Sequence, residues 1–387
     1  MEPSVPRSGV PYRRLSFFYF LYFALLGCIA PFWGLYLQAR NFSEEDIGFL
    51  MAAFAGVRIV APNLWASWAG HFSSPLVMVR WSGVLTAVCF ACVWWANSLT
   101  AMLLVMLAYG FFWAAMLPQY EAITMQSIKN RIDEYSRIRL WGSIGFIVIV
   151  VLLGWLFDVF DVALLPAVML LLMLSIFLNS LLFKSANYSI RITATKRSGF
   201  MGYVFRWPVV IFIVTTVLLQ ISHGAYYTFF SIFLEQRGYA SGAIGLLWGL
   251  GVLAEVFLFW QFSRIMKLLS WYKWLMLSLL LTALRWLLIS LFSDHLFILL
   301  FAQMLHAFSF GVMHAVSMHY IQEFFPGELQ AKGQALYSSV GFGLGGALGA
   351  WFSGMLWQPW GGEMVFMLSA VVAAIAMFVV AIGLRKE

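Results

Sequence analysis

The chain repeats itself at half its own length, and this restricts the folds open to it more than any single motif does. Residues 35–50 read LYLQARNFSEEDIGFL and residues 232–247 read IFLEQRGYASGAIGLL, an offset of 197. Leu37/Leu234, Arg40/Arg237, Ile47/Ile244, Gly48/Gly245 and Leu50/Leu247 coincide. A second pair, LWGSIGF at 140–146 and LYSSVGF at 336–342, repeats at 196. One such match in an apolar alphabet can be chance. Two at nearly one offset, far apart in the chain, imply homologous halves covering its whole length.

Each half is a set of membrane spans. Residues are 63% hydrophobic and 10% charged, where a soluble domain carries roughly 25% charged. Apolar runs long enough to cross a bilayer recur at 16–37, 45–68, 75–96, 98–122, 138–157, 162–183, 208–234, 242–262, 272–292, 296–322, 333–356 and 361–383. The expected fold is all-α and integral to the membrane, with twelve transmembrane helices in two pseudo-symmetric six-helix bundles. Residues 1–184 form the first bundle, 185–207 a cytoplasmic linker rich in Ser, Thr and Arg, and 208–387 the second. Parallel halves around a midplane site are an arrangement of secondary transporters.

Charge placement supports the even count. With both termini cytoplasmic, 18 of the 23 Lys and Arg fall inside, as the positive-inside rule requires. The exceptions are Arg40 and Arg237, outside and repeat-related, and Arg58, Arg139 and Arg285 within spans. This bias accounts for the net charge of +7 without a nucleic-acid partner. A multi-pass protein of the bacterial inner membrane is expected, working as a monomer in the lipid bilayer. Arg13-Arg14 imitates a twin-arginine signal and Leu25-Leu26-Gly27-Cys28 a lipoprotein box. The first span is nevertheless read as retained, because the seventh repeats its continuation. Cys28, Cys89 and Cys92 sit inside spans without metal spacing and read as small apolar fillers.

Several motifs in order carry a family resemblance. Glu134-Tyr135-Ser136-Arg137-Ile138-Arg139-Leu140-Trp141-Gly142-Ser143 leads into the fifth span and His223-Gly224-Ala225-Tyr226-Tyr227 lies in the seventh. Gly251-Val252-Leu253-Ala254-Glu255-Val256 is in the eighth, Arg285-Trp286 in the ninth and Gln303-Met304-Leu305-His306 in the tenth. Together with the six-plus-six repeat they resemble the major facilitator superfamily, in the phenylpropionate permease branch related to lactose and nucleoside proton symporters. Two departures stand out. The Gly-x-x-x-Asp-Arg loop after the second span is replaced by Trp65-Ala66-Ser67-Trp68-Ala69-Gly70-His71, so the gate contact there must differ. Lactose-type symporters place a glutamate three residues after the tenth-span histidine, and this chain has Ser309.

Five ionised side chains fall within spans: Arg58, Glu121, Arg139, Glu255 and Arg285. Each costs about 2.5–3.5 kcal/mol at a span centre before pairing, so each is a functional candidate facing a polar cavity. By the resemblance, Glu121 and Arg139 meet at the binding site, either to exchange partners with a substrate anion or as a fixed pair tying two helices. Arg137 reads as an interfacial anchor. Arg58 and Glu255 each lie 11 residues beyond the Ile of their Ile-Gly pair, so they are one position in the two halves with opposite charge. Symmetry sets them on opposite walls of one cavity. Glu255 is the first candidate for proton coupling, with a permanent salt bridge to Arg285 as the rival role.

His223, His306, His314 and His319 are protonatable or simply hydrogen-bonded within the same half. Tyr226, Tyr227, Trp113, Trp141 and Trp248 lie deep enough to stack on an aromatic substrate or merely to pack helices, while Trp94-Trp95, Trp207, Trp271, Trp357 and Trp360 read as interfacial belts. Gly341, Gly345 and Gly349, with Gly245 and Gly249, form small-residue stripes for close helix contact, rigid or rocking. No nucleophile–base pair, metal motif or phosphate loop stands out, so no enzyme activity, metal or cofactor is expected.

The expected function is proton-coupled import of a small organic anion by alternating access; the resemblance implies an aromatic carboxylate such as 3-phenylpropionate. Arg58, Glu121, Arg139, Trp141, Tyr226, Tyr227 and Arg285 are the candidate substrate-binding residues. Glu255, His223, His306 and His314 are the candidates for proton coupling. A neutral sugar or nucleoside symporter is the alternative.

Overall fold

The computed structural model describes residues 10–128, 132–184 and 199–384. Residues 185–198 of the expected linker, the outermost residues of both termini, and Lys129 and Arg131 lie outside the described residues. The remainder is almost entirely helical. The spans are α1 (Tyr12–Ala39), α2 (Glu44–Trp68), α3 (Pro75–Ala91), α4 (Leu99–Ile128), α5 (Ile132–Phe157), α6 (Leu165–Leu181), α7 (Trp207–Glu235), α8 (Ser241–Trp260), α9 (Trp271–Phe292) and α10 (Leu296–Phe324). The last helical stretch, Gly327–Gly383, is broken at Gly361 (φ 77°, ψ 162°), a conformation suited to glycine, and so provides α11 (330–360) and α12 (362–383). The protein is a multi-pass membrane protein.

Local chemistry sets the helix starts. Ser43 accepts from Asp46 N while Asp46 accepts from Ser43 N, a capping box at α2. Ser74, Ser98 and Ser270 cap α3, α4 and α9. On the face where α1 begins, basic side chains satisfy the carbonyls ending α6: Arg80 donates to Ser180 O (3.1 Å) and Phe183 O (2.8 Å), and Arg14 donates to Leu182 O. The same cations thus anchor the basic face and cap a helix.

The connection between α4 and α5 differs from the apolar windows. Helix runs on to Ile128 and resumes by Ile132, where hydropathy alone expects ends at 122 and 138. The added turns carry Gln126, Ser127, Glu134 and Ser136, polar residues that a hydropathy window rejects but that a helix projecting beyond the apolar layer accepts.

Equivalent residues do equivalent work on the face opposite the basic one. Arg40 donates to Tyr36 Oη (2.7 Å) and Asn97 Oδ1 (2.5 Å). Its twin Arg237 pairs with Asp294 (3.6 Å) and Glu363 (2.5 Å). Asn97 and Asp294 are themselves 197 apart, so both members of the strut repeat.

On that same face the halves press together. Gly48 of α2 meets Gly354 of α11 so closely that a Cβ on Gly48 would lie 2.6 Å from Gly354 Cα. A Cβ on Gly154 of α5 would stand 2.6 Å from Ser241 O of α8. Phe32 and Trp33 belong to one apolar cluster with Phe229, Trp248 and Phe366 from the other half. Towards the basic face the second half keeps a separate core around Leu275, Val316 and Phe325. The bundles are therefore packed tightly together on one face, while towards the basic face the second half has a core of its own.

Candidate functional site

The polar site is built from α7, α8, α9 and α10 of the second half and α1, α4 and α5 of the first. In the second half it is organised by Arg285, fully buried on α9. A buried guanidinium needs its donors satisfied, and α10 supplies the acceptors. Arg285 Nη1 donates to His306 Nδ1 (3.1 Å) and Ser309 Oγ (3.0 Å), and Nη2 donates to Gln303 Oε1 (3.1 Å). Tyr226 Oη donates to the same Gln303 oxygen (2.9 Å), and its ring lies 4.1 Å below the guanidinium carbon. The widened π turn Ala307–Val312 interrupts α10 between these groups, a common device where a helix must redirect side chains at a working site.

Because Arg285 can only donate, His306 Nδ1 must accept, which leaves the ring proton on Nε2. That atom faces Glu255 Oε2 of α8 at 3.8 Å. Gly311 makes room for the carboxylate, since a Cβ there would lie 3.2 Å from Glu255 Cγ. Glu255 keeps 18% side-chain exposure and lies in Coulombic range of Arg139 in the opposite half. His306, Phe310 and His314 form a ladder of nearly parallel rings one helical turn apart, with centroid spacings of 5.4 and 6.4 Å. His314, at its outer end, is exposed and also in Coulombic range of Arg139.

In the first half, Arg139 on α5 lies 3.9 Å over the Phe23 ring and 5.6 Å from that of Tyr19. Gly142, one turn on, leaves space for it, because a Cβ there would stand 2.8 Å from Arg139 Nη1. Glu121 is linked towards Arg139 through Tyr135, whose hydroxyl donates to Glu121 Oε1 at 3.5 Å. Arg58, Glu121 and Arg139 all lie in Coulombic range of Tyr22.

The structure thus brings Arg58, Glu121 and Arg139 around one wall and Glu255, His306, Arg285 and Tyr226 around the other. Tyr227 sits between, in Coulombic range of both Arg58 and Glu255. Among the described residues, Glu255 pairs with His306 and not with Arg285. Trp141 stands apart: it is 39% exposed and donates to Tyr12 Oη (3.1 Å) near the basic face. His223 occupies the break in α7, with Nδ1 2.8 Å from Leu219 O and its ring edge-on to Trp286. His319 is separate, stacked on Trp271 and 3.6 Å from Glu323.

Gln303 and Tyr135 join the site without having been singled out as site residues in the sequence. Gln303 is uncharged, so span hydropathy does not flag it. Tyr135 precedes Arg139 by four residues, a same-face helical spacing that becomes visible only once α5 is extended past its apolar window.

This arrangement is a familiar one by comparison. The MFS_1 like family pattern matches residues 12–368. The chain is 32% identical over 371 residues to an Escherichia coli K12 protein described as a probable 3-phenylpropionic acid transporter, covering 95% of this chain and 96% of that one. It is 25% identical to the maltose permease of Geobacillus stearothermophilus, covering 98% and 96%. The crystal structure of the nucleoside transporter NupG superposes with a TM-score of 0.85 at 17% identity, covering 97% and 99%. The chain belongs to the MFS_1 like family and is a membrane transporter of the major facilitator type.

Proposed function

We propose that the protein is a proton-coupled symporter that imports a small organic anion, an aromatic carboxylate such as 3-phenylpropionate, across the bacterial inner membrane. It works as a monomer, with both termini cytoplasmic, by alternating access. The observation that carries this reading is a cation and a carboxylate from opposite halves within electrostatic range of each other: Arg139 over Phe23, and Glu255 beside His306. The similarity to the probable 3-phenylpropionic acid transporter supports the substrate class.

The chemistry follows from charge balance. Without substrate, the Arg139 guanidinium and the Glu255 carboxylate balance one another as a cation and an anion. A substrate carboxylate on Arg139, held by two parallel hydrogen bonds, adds a negative charge to the site, and a proton on Glu255 restores the balance. Anion and proton are bound together, with Phe23 and Tyr19 offering ring faces to an aromatic substrate. Arg285 holds His306 in the tautomer that presents Nε2–H to Glu255 and helps position the proton site with Tyr226. Arg58, Glu121, Tyr227 and His314 complete the polar lining, and His223 and Trp141 support it from its edges.

Uptake of labelled 3-phenylpropionate into proteoliposomes tests the proposal. Accumulation should appear only with an inward proton gradient and collapse with a protonophore. Gradient-independent entry, or failure to compete with labelled substrate by benzoate-class acids, refutes it. The second reading, a neutral sugar or nucleoside symporter, draws on the similarity to maltose permease. It wins if maltose or nucleosides, and not the acids, are concentrated.

A further inference from the structure

On the closed face, one helix is capped by the wrong half of the molecule. α8 begins at Ser241 after Ala240, which has no side chain able to cap it. The Gly242 amide in its first turn donates instead to Asp158, at 3.0 Å to Oδ1 and 3.2 Å to Oδ2. Asp158 follows α5, in the first bundle. Gly242 is needed for this approach: a Cβ there would lie 2.5 Å from Asp158 Oδ2 and 2.7 Å from Trp155 Cδ1.

The repeat makes the exchange legible. At the offset of 197, Ala240 and Ala243 occupy the places of Ser43 and Asp46, the capping box of α2. The backbone has not changed with them: Ser43 has φ −66° and ψ 161°, Ala240 φ −65° and ψ 149°. At the offset of 196, the twin of Asp158 is Gly354, which lies flat against Gly48 and the Glu44 carbonyl. The self-capped helix meets a glycine, and the uncapped helix meets a carboxylate.

We infer that Asp158 is a positioning residue for alternating access, a latch that makes the N-terminal cap of α8 available only while this face is closed. When the bundles separate here, the Gly242 amide and the positive end of the α8 dipole lose their partner. The closed face is favoured by that difference. The inference rests on the chain being a transporter and not on the identity of its substrate.

The test uses the full chain in lipid nanodiscs, with Cys28→Ala, Cys89→Ser and Cys92→Ser, and spin labels at the exposed positions Val159 and Gln236. Double electron–electron resonance then reads the near and far populations of the two halves on this face. Asp158→Ala should raise the far-to-near ratio about fivefold to tenfold, the size of losing an N-cap. Asp158→Asn keeps an acceptor and should retain most of the near population. Ala240→Asp gives α8 a cap of its own and sets a second carboxylate beside Asp158. It should open the face although it favours the helix, a response no merely structural role predicts. An unchanged ratio in both Asp158→Ala and Ala240→Asp overturns the latch. Should Asp158→Ala fail to insert, Ala240→Asp decides alone.

Discussion

Replacing Arg139 is the most direct challenge to the proposed chemistry. Its guanidinium is only partly buried and lies 3.9 Å over Phe23 and 5.6 Å from Tyr19. Cation–ring contacts of this kind are worth about 0.5–1 kcal/mol, so Arg139→Gln should cost the fold little. A bound carboxylate, in contrast, loses a charge-assisted hydrogen-bonded pair. Hydrogen bonds to charged groups contribute about 1.5–3 kcal/mol, and each 1.4 kcal/mol is a factor of about ten in affinity. Arg139→Gln should therefore raise the KM for 3-phenylpropionate by about 10-fold to 100-fold at normal membrane abundance. Arg139→Lys keeps the charge but not the planar fork, and should recover only part of the loss. The assay is initial-rate uptake in proteoliposomes, with protein content and melting temperature measured alongside. A KM within about twofold of the native value for Arg139→Gln would sink the assignment and reduce Arg139 to a scaffold tying α5 to α1.

Three further outcomes separate roles within the site. Glu255→Gln should exchange bound for external substrate at a near-native rate yet fail to concentrate it under a proton gradient; retained uphill accumulation transfers the proton to His306, whose Gln variant should then show that phenotype. Arg285→Met leaves His306 Nδ1 and Ser309 Oγ without their buried donor while Gln303 keeps Tyr226, so it should lower stability by about 1–3 kcal/mol, seen as a lower Tm in detergent; an unchanged Tm refutes a buried organising role. Gly224→Ala would place a Cβ 2.1 Å from the Gly349 carbonyl carbon, where neither backbone can yield, and should cost about 1–3 kcal/mol by the same measurement, with native-like melting as the contrary result.

Much of this protein is determined by sequence alone, because the bilayer leaves a chain few options. Spans must be apolar, helical and about twenty residues long, so their number and order are written in hydropathy. The half-length repeat carries the symmetry, and Arg40 with Arg237 already marks matching positions in the two halves. Intramembrane charges announce themselves by their cost, which is how Arg139, Glu255 and Arg285 stand out. Tertiary structure decides which of them meet. The two terminal nitrogens of Arg285 find acceptors in His306, Ser309 and Gln303 because a π turn redirects α10, and no apolar period records such a turn. Trp141 falls within the same motif as Arg139 yet points to Tyr12, since two residues of helix rotate a side chain by more than half a turn. Asp158 reads as an ordinary loop acid until α8 lies beneath it. Pairings between distant helices depend on approach at the ångström scale, and a local pattern contains no such distance.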